Sequence, residues 1–272
     1  MLGGEEGPTW QVSSSVNYNS GDYGTDTTTT SLYIPLTVKR LFEDGSISLT
    51  IPYISIESDG SVTFIGGEPH GQKRRQRGKG SGVSGGDRDK DGDGDVDDDD
   101  QIPGIRAART TESGLGDIIL SGRYFVFDEG DWLPSVAVTG FVKFPTADED
   151  RGLGTGEYDG GFGAQLSKFL TDDLIVYVDG GYTFIGQPPG PELNNQWNYD
   201  VGVGYYLTDD LLASAFYEEW RAVTDTGVNP WDLFFSLQYS LLEWLRVNAS
   251  GLVGLSDGAP DYGVSGGLLL QF

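Results

Sequence analysis

The chain reads as an all-β protein, a transmembrane antiparallel up-and-down β-barrel of about twelve strands, and three observations lead there. Segments of roughly ten residues alternate apolar with polar or small side chains, the length and period of a membrane-crossing strand. The connections between them are alternately long and short, which sets both ends of the strand array and every tight turn on one side. No run approaches the roughly 18 to 20 apolar residues of a membrane helix, so any crossing falls to strands.

The clearest element is the hairpin from Gly114 to Thr146. In its first arm Ile118, Leu120, Gly122, Tyr124 and Val126 share one face, and Asp117, Ser121 and Arg123 share the other. A tight acidic turn is expected at Asp128 to Asp131, with the second arm starting at Trp132. There Val136, Val138, Gly140, Val142 and Phe144 oppose Ala137, Thr139 and Lys143. Strands of soluble sandwiches more often run about five or six residues, so the membrane reading takes precedence.

Taken in order, residues 1 to 9 form a short leader and the first strand runs from Trp10 to Tyr18. A polar loop leads to the second strand, Ser31 to Leu41, which turns at Glu43-Asp44-Gly45 into the third, Ser46 to Ser58. Asp-Gly favours such a turn because glycine accepts positive φ. Residues 66–113 are glycine, arginine, lysine and aspartate with few apolar side chains, and read as a long extracellular insert within a single 1–272 barrel. The fourth and fifth strands are the hairpin above. The sixth and seventh are Asp159–Phe169 and Leu174–Ile185, and the eighth and ninth are Gln196–Leu207 and Leu211–Trp220. Trp231–Leu241, Leu245–Leu255 and Tyr262–Phe272 complete the set. In the last, Tyr262, Val264, Gly266, Leu268 and Leu270 share one face before the terminal Phe272, a pattern that resembles the C-terminal signature of outer-membrane barrels.

Several short motifs carry a family resemblance: Gly114-Leu-Gly-Asp-Ile, Val142-Lys-Phe-Pro-Thr-Ala-Asp, Gly152-Leu-Gly-Thr-Gly-Glu-Tyr-Asp, Tyr182-Thr-Phe-Ile-Gly and Ile51-Pro-Tyr-Ile-Ser-Ile. As a block they resemble the MetA-pathway phenol-degradation family of outer-membrane transporters, over roughly residues 30 to 272. The resemblance implies an outer-membrane β-barrel with a transport role, with aromatic or apolar compounds as the expected solutes.

Composition narrows the function. The chain has no cysteine, one histidine and a net charge of −25. Disulfide staples and thiol chemistry are excluded, and so large a negative charge argues against a nucleic-acid partner. The start, Met1-Leu-Gly-Gly-Glu-Glu, has neither the basic residues nor the apolar core of a signal peptide, so the sequence is read as mature. His70 falls in the charged insert, away from any strand that would orient it for nucleophilic catalysis, and the chain is not expected to be an enzyme.

Two candidate sites remain. Within Asp89-Lys-Asp-Gly-Asp-Gly-Asp-Val-Asp-Asp-Asp-Asp100, Asp89, Asp91, Asp93, Asp95, Asp97 and Asp100 stand at the positions of a calcium loop, with Gly94 at its sharp turn. Calcium is therefore an expected ligand, and a solvated acidic tract is the competing reading. Nearby Lys73, Arg74, Arg75, Arg77 and Lys79 would meet lipopolysaccharide phosphates or neutralise the acidic run. The other site is the lumen, expected to hold Lys39, Asp117, Arg123, Lys143, Asp179, Asp200, Glu218, Asp232 and Arg246. Counting from the turns sets Asp117 nearly opposite Lys143, and Asp200 opposite Glu218. The expected function is passive passage of small molecules across the bacterial outer membrane. The alternative is a plugged anchor whose calcium-stiffened insert contacts a protein partner or a surface polymer.

Overall fold

A computed structural model describes residues 9–25, 27–58, 62–65, 68–71, 110–189 and 192–272. The strands are β1 (Trp10–Gly21), β2 (Thr29–Phe42), β3 (Gly45–Ser58), β4 (Val62–Ile65), β5 (Glu68–Gly71), β6 (Thr110–Leu115), β7 (Ile118–Phe127) and β8 (Ser135–Phe144). They continue with β9 (Asp159–Phe169), β10 (Leu174–Phe184), β11 (Gln196–Thr208), β12 (Leu211–Trp220), β13 (Trp231–Leu242), β14 (Leu245–Gly254) and β15 (Tyr262–Gln271).

Each long strand pairs antiparallel with its sequence neighbours, and β1 pairs with β15 from Gln11↔Gln271 to Ser20↔Tyr262. The last rung is sealed by main-chain bonds in both directions between Trp10 and Phe272, at 2.8 and 3.0 Å. The result is a closed twelve-stranded barrel with one extra short strand, β6, and its edges disappear into each other.

The register fixes which side chains meet lipid. Rungs such as Leu49↔Leu120, Leu120↔Val142, Val178↔Val201 and Val247↔Leu268 stack outward-facing apolar residues around the wall. Leu49, Leu120, Val178 and Leu268 are all exposed, as are Val201, Val203, Leu237 and Val264. So continuous an apolar exterior would aggregate in water and suits a bilayer. Outward aromatic rings gather toward one end: Trp197 stacks with Tyr199, Tyr199 meets Tyr217, and Tyr217 meets Trp231, with centroids 5.9 to 6.1 Å apart. At the other end stand Phe42, Tyr124, Phe127, Trp132, Tyr239, Trp244 and Phe272, all exposed. Two such girdles mark the two interfaces of a membrane.

Three expectations need correction. The β7–β8 turn is longer than the acidic tetrad, because Trp132, Leu133 and Pro134 belong to it and β8 starts at Ser135; Trp132 is 94% exposed. The first arm of that hairpin is also not one strand. β6 and β7 both pair with β3, but Leu115 lies opposite Tyr53 and Ile119 opposite Thr50. Three residues therefore face two, a bulge that turns Gly116 and Asp117 inward, and the amide of Gly116 donates to the Pro52 carbonyl at 2.8 Å. Finally, residues 66–113 are not all loop: β5, which contains His70, pairs with β4 in a separate two-stranded sheet, and β6 reaches back to Thr110.

The glycine-rich β9 is an ordinary wall strand, its ladders to β8 and β10 running unbroken from end to end. Buried apolar clusters occur only near the long-loop end among the described residues: Ile54, Ile56 and Leu153, and separately Ile185, Leu193 and Val223.

Candidate functional site

The long-loop end has two unlike halves. On the side of β3, β7, β8 and β9, the connection of residues 145–158 folds into the barrel mouth and buries Leu153 to 1% exposure against Ile54 and Ile56. Beneath it lies Lys143, itself 1% exposed. Its ammonium reaches Asp117 at 3.0 Å, Asp159 at 2.8 Å and the Thr155 hydroxyl at 3.3 Å. Two ion pairs and one hydrogen bond surround the ammonium, the kind of pairing that burying a charge requires. The carboxylates are held in turn: Asp117 Oδ1 accepts from the amides of Thr146 and Ala147 at 3.0 and 2.9 Å, and Asp159 Oδ1 from that of Gly186 at 2.9 Å. Gly154 is needed here, since a Cβ on it would stand 2.8 Å from that of Ala147 and 2.9 Å from Asp117 Oδ2.

The counting argument placed Asp117 across from Lys143. The strict partner of Lys143 on β7 is Ile119, and the bulge at Asp117 makes the contact. Asp159, the first residue of β9 and the direct partner of Lys143, was missed as a luminal group.

The opposite half carries the second arrangement. Asp179 lies opposite Asp200, Asp200 opposite Glu218, and Glu218 opposite Asp232. Four inward carboxylates thus form one unbroken row across β10, β11, β12 and β13. Because barrel strands are tilted, a row perpendicular to them climbs the wall. It starts at the middle of β10 and ends at Asp232, the second residue of β13. Only the Asp200–Glu218 rung was legible from the sequence.

Two residues further down each strand runs a second inward row: Tyr177, Gly202, Phe216, Phe234 and Leu252. Gly202 makes it continuous, because the Phe216 ring fills the place of a Cβ, 2.2 Å from where that atom would stand. Phe216 thereby meets Tyr177 at 5.5 Å and Phe234 at 6.3 Å between centroids. Sequence reasoning missed this row, although its alternation with Asp200, Glu218 and Asp232 was there to be read.

The inward cations other than Lys143 sit lower. Lys39 and Arg123 share a cavity of about 350 Å³ with Ser46, Ser48 and Gln165, and Arg246 is the second residue of β14, beside a short turn. Gln165 and Thr139 also border a space of about 160 Å³ that reaches Asp179 and Asp200. Above, Glu218, Asp232, Trp220 and Phe234 line a cavity of about 420 Å³, with Asn17, Asn19 and Asn248 also in its wall. Apart from Lys143 under its loop, the luminal charge among these residues is sorted along the axis, acidic toward the long loops and basic toward the short turns. The proposed calcium ligands Asp89, Asp91, Asp93, Asp95, Asp97 and Asp100 lie outside the described residues.

A closed barrel with an apolar belt, two aromatic girdles and a polar hollow interior is an outer-membrane β-barrel of the channel type, located in the bacterial outer membrane. The family model described as "Putative MetA-pathway of phenol degradation" matches residues 78–272, and the chain belongs to that family. Its fold is similar to that of an outer membrane channel from Pseudomonas putida F1, at 11% identity and a TM-score of 0.69, covering 99% of this chain and 97% of that one. The NanC porin follows with 11% identity and a TM-score of 0.52, covering 96% of this chain and 100% of the porin. The KdgM porin has 8% identity and a TM-score of 0.51, with 96% and 99% covered. No curated protein sequence matches.

Proposed function

We propose that the barrel passes small solutes passively across the outer membrane, through the half of its lumen that the 145–158 loop leaves open. One observation carries this reading: inward residues Arg123, Gln238 and Asn248 remain exposed although they face the interior. Side chains therefore do not fill the barrel, as they do in one of about eight strands. The acidic row favours cations and neutral solutes over anions. The family description and the Tyr177–Phe216–Phe234 row together support aromatic compounds among the solutes.

Bacterial barrels keep short turns in the periplasm and long loops outside. On that rule residues 66–113 face the exterior, where they would meet lipopolysaccharide or a protein partner. Liposome swelling tests the channel reading. Vesicles carrying the purified barrel should swell in isotonic solutions of small neutral solutes and of phenol-sized alcohols. Swelling no faster than in protein-free vesicles would favour the plugged anchor.

A further inference from the structure

We propose that Lys39 and Arg123 on one wall of the lumen and Asp179 and Asp200 on the other form a charge-separated ring that favours zwitterionic solutes, small molecules carrying both an ammonium and a carboxylate. The ammonium end points to the two aspartates and the carboxylate end to Lys39 and Arg123. This rests on the channel reading and names a solute class for it.

Topology sets the two charged pairs apart. From β2, which carries Lys39, to β11, which carries Asp200, is six strand pairings in either direction around the closed wall, so these residues stand on opposite sides of it. Register sets the pairs level. The rungs from Arg123 run through Thr139 and Gly163 to Gly181 on β10. Each row climbs the tilted wall in that direction, so Asp179, two residues nearer the short turn, returns to about the height of Arg123. The rungs from Lys39 run through Ser48 to Ser121 on β7, and Arg123 is likewise two residues nearer the short turn. The space between is continuous: the cavity of Lys39 and Arg123 and that of Asp179 and Asp200 share Thr139, Phe141 and Gln165.

Around Lys143 the chain pairs its buried charges; here like charge sits with like. Asp179 and Asp200 are cross-strand partners, and two neighbouring carboxylates keep at least one negative charge at neutral pH. Among the described residues none of the four makes an ion pair. The Arg123 guanidinium is instead held over the Phe125 ring, 4.9 Å from its centroid. Opposite charges held apart across an open space between low-dielectric walls leave a field directed across the path. A solute with a single charge is drawn to one wall and repelled by the other, and a neutral solute gains little. A zwitterion lying across the field meets both walls with charge-assisted hydrogen bonds.

Liposome swelling with isomeric solutes tests this. Alanine and lactamide share one molecular formula, and only alanine is a zwitterion at neutral pH. After subtraction of protein-free vesicles, alanine should enter through the full-length barrel about threefold or more faster than lactamide. Lys39→Met/Arg123→Gln and Asp179→Asn/Asp200→Asn should each bring the two rates within about 1.5-fold of each other, although they shift the luminal charge in opposite directions. That shared loss separates a field across the lumen from net charge. Should either double variant fail to fold, Arg123→Gln and Asp179→Asn alone should each cut the preference by about half or more. Equal rates in the unsubstituted barrel, or a preference that survives removal of either charged pair, would overturn the proposal. Potassium chloride conductance of the same preparation separates the two readings. Current and lactamide entry without an alanine preference sink the zwitterion ring alone, and a silent membrane with no swelling sinks the channel reading and this one with it.

Discussion

The two halves of the long-loop mouth use the same chemical materials to opposite ends. Around Lys143 two carboxylates and a hydroxyl enclose one ammonium, and the folded loop buries it under Leu153. Glu218 and Asp232 share one rung and line a cavity of about 420 Å³ that the 145–158 loop does not line. The first arrangement is packed shut and therefore structural. The second borders a cavity and therefore has room for a solute. Burial alone does not separate them, since Lys143 and Asp232 are both almost wholly enclosed; the loop packed over one and the cavity beside the other do.

The motifs that carried the family resemblance fall on the structural half. Asp117, Lys143, Leu153, Thr155 and Asp159 come from three of them, Ile54 and Ile56 from a fourth, and Gly186 from a fifth. They recognise the stopper. None of them contains a residue of the acidic or aromatic row, so the resemblance by itself could not have located the path.

The sharpest way to break this contrast is Lys143→Ala, which strands two buried carboxylates. We expect a loss of about 3 to 5 kcal/mol, read as a lower urea midpoint for the shift between folded and unfolded gel mobility. Lys39→Ala, in the open lumen, should cost no more than about 0.5 kcal/mol. Equal effects would mean that the two halves are not distinct. Next comes Leu153→Ala, which hollows the stopper and should cost about 2 to 3 kcal/mol. Single-channel conductance should rise in that variant while ion preference stays unchanged, because no luminal charge is removed. A changed preference would place the ion path under the 145–158 loop.

The smallest expected effect concerns the insert. Spacing alone supports weak binding of one calcium ion by Asp89, Asp91, Asp93, Asp95, Asp97 and Asp100, in the roughly 10⁻⁴ to 10⁻³ M range of extracellular modules. Calcium titration of the whole barrel by calorimetry should show one saturable event that Asp93→Asn removes, with channel conductance unaltered. Absence of saturation by several millimolar would leave the segment a solvated acidic tract.

Much of the wall was legible because the alternation of side chains is written locally. The bounds of Asp159–Phe169 and Leu211–Trp220 agree with the structure residue for residue, and the other long strands within a few. Register was legible only across tight turns. Asp209 and Asp210 alone separate β11 from β12, so counting found Asp200 opposite Glu218. The loops from 185 to 195 and from 221 to 230 hide the register of the strands they join, and with it the Asp179–Asp200 and Glu218–Asp232 rungs. The bulge at Gly116 and Asp117 was invisible for another reason. Apolar and polar residues continue to alternate through β7, and only pairing to β3 reveals the extra residue.

The central claim is that the open half conducts and that its acidic row sets the sign of what passes. Recordings in planar bilayers with a potassium chloride gradient test it most directly. Small, steady openings are expected, with a reversal potential that favours potassium, a preference reduced by Asp200→Asn/Glu218→Gln. A silent membrane, or a reversal potential that favours chloride, would contradict it.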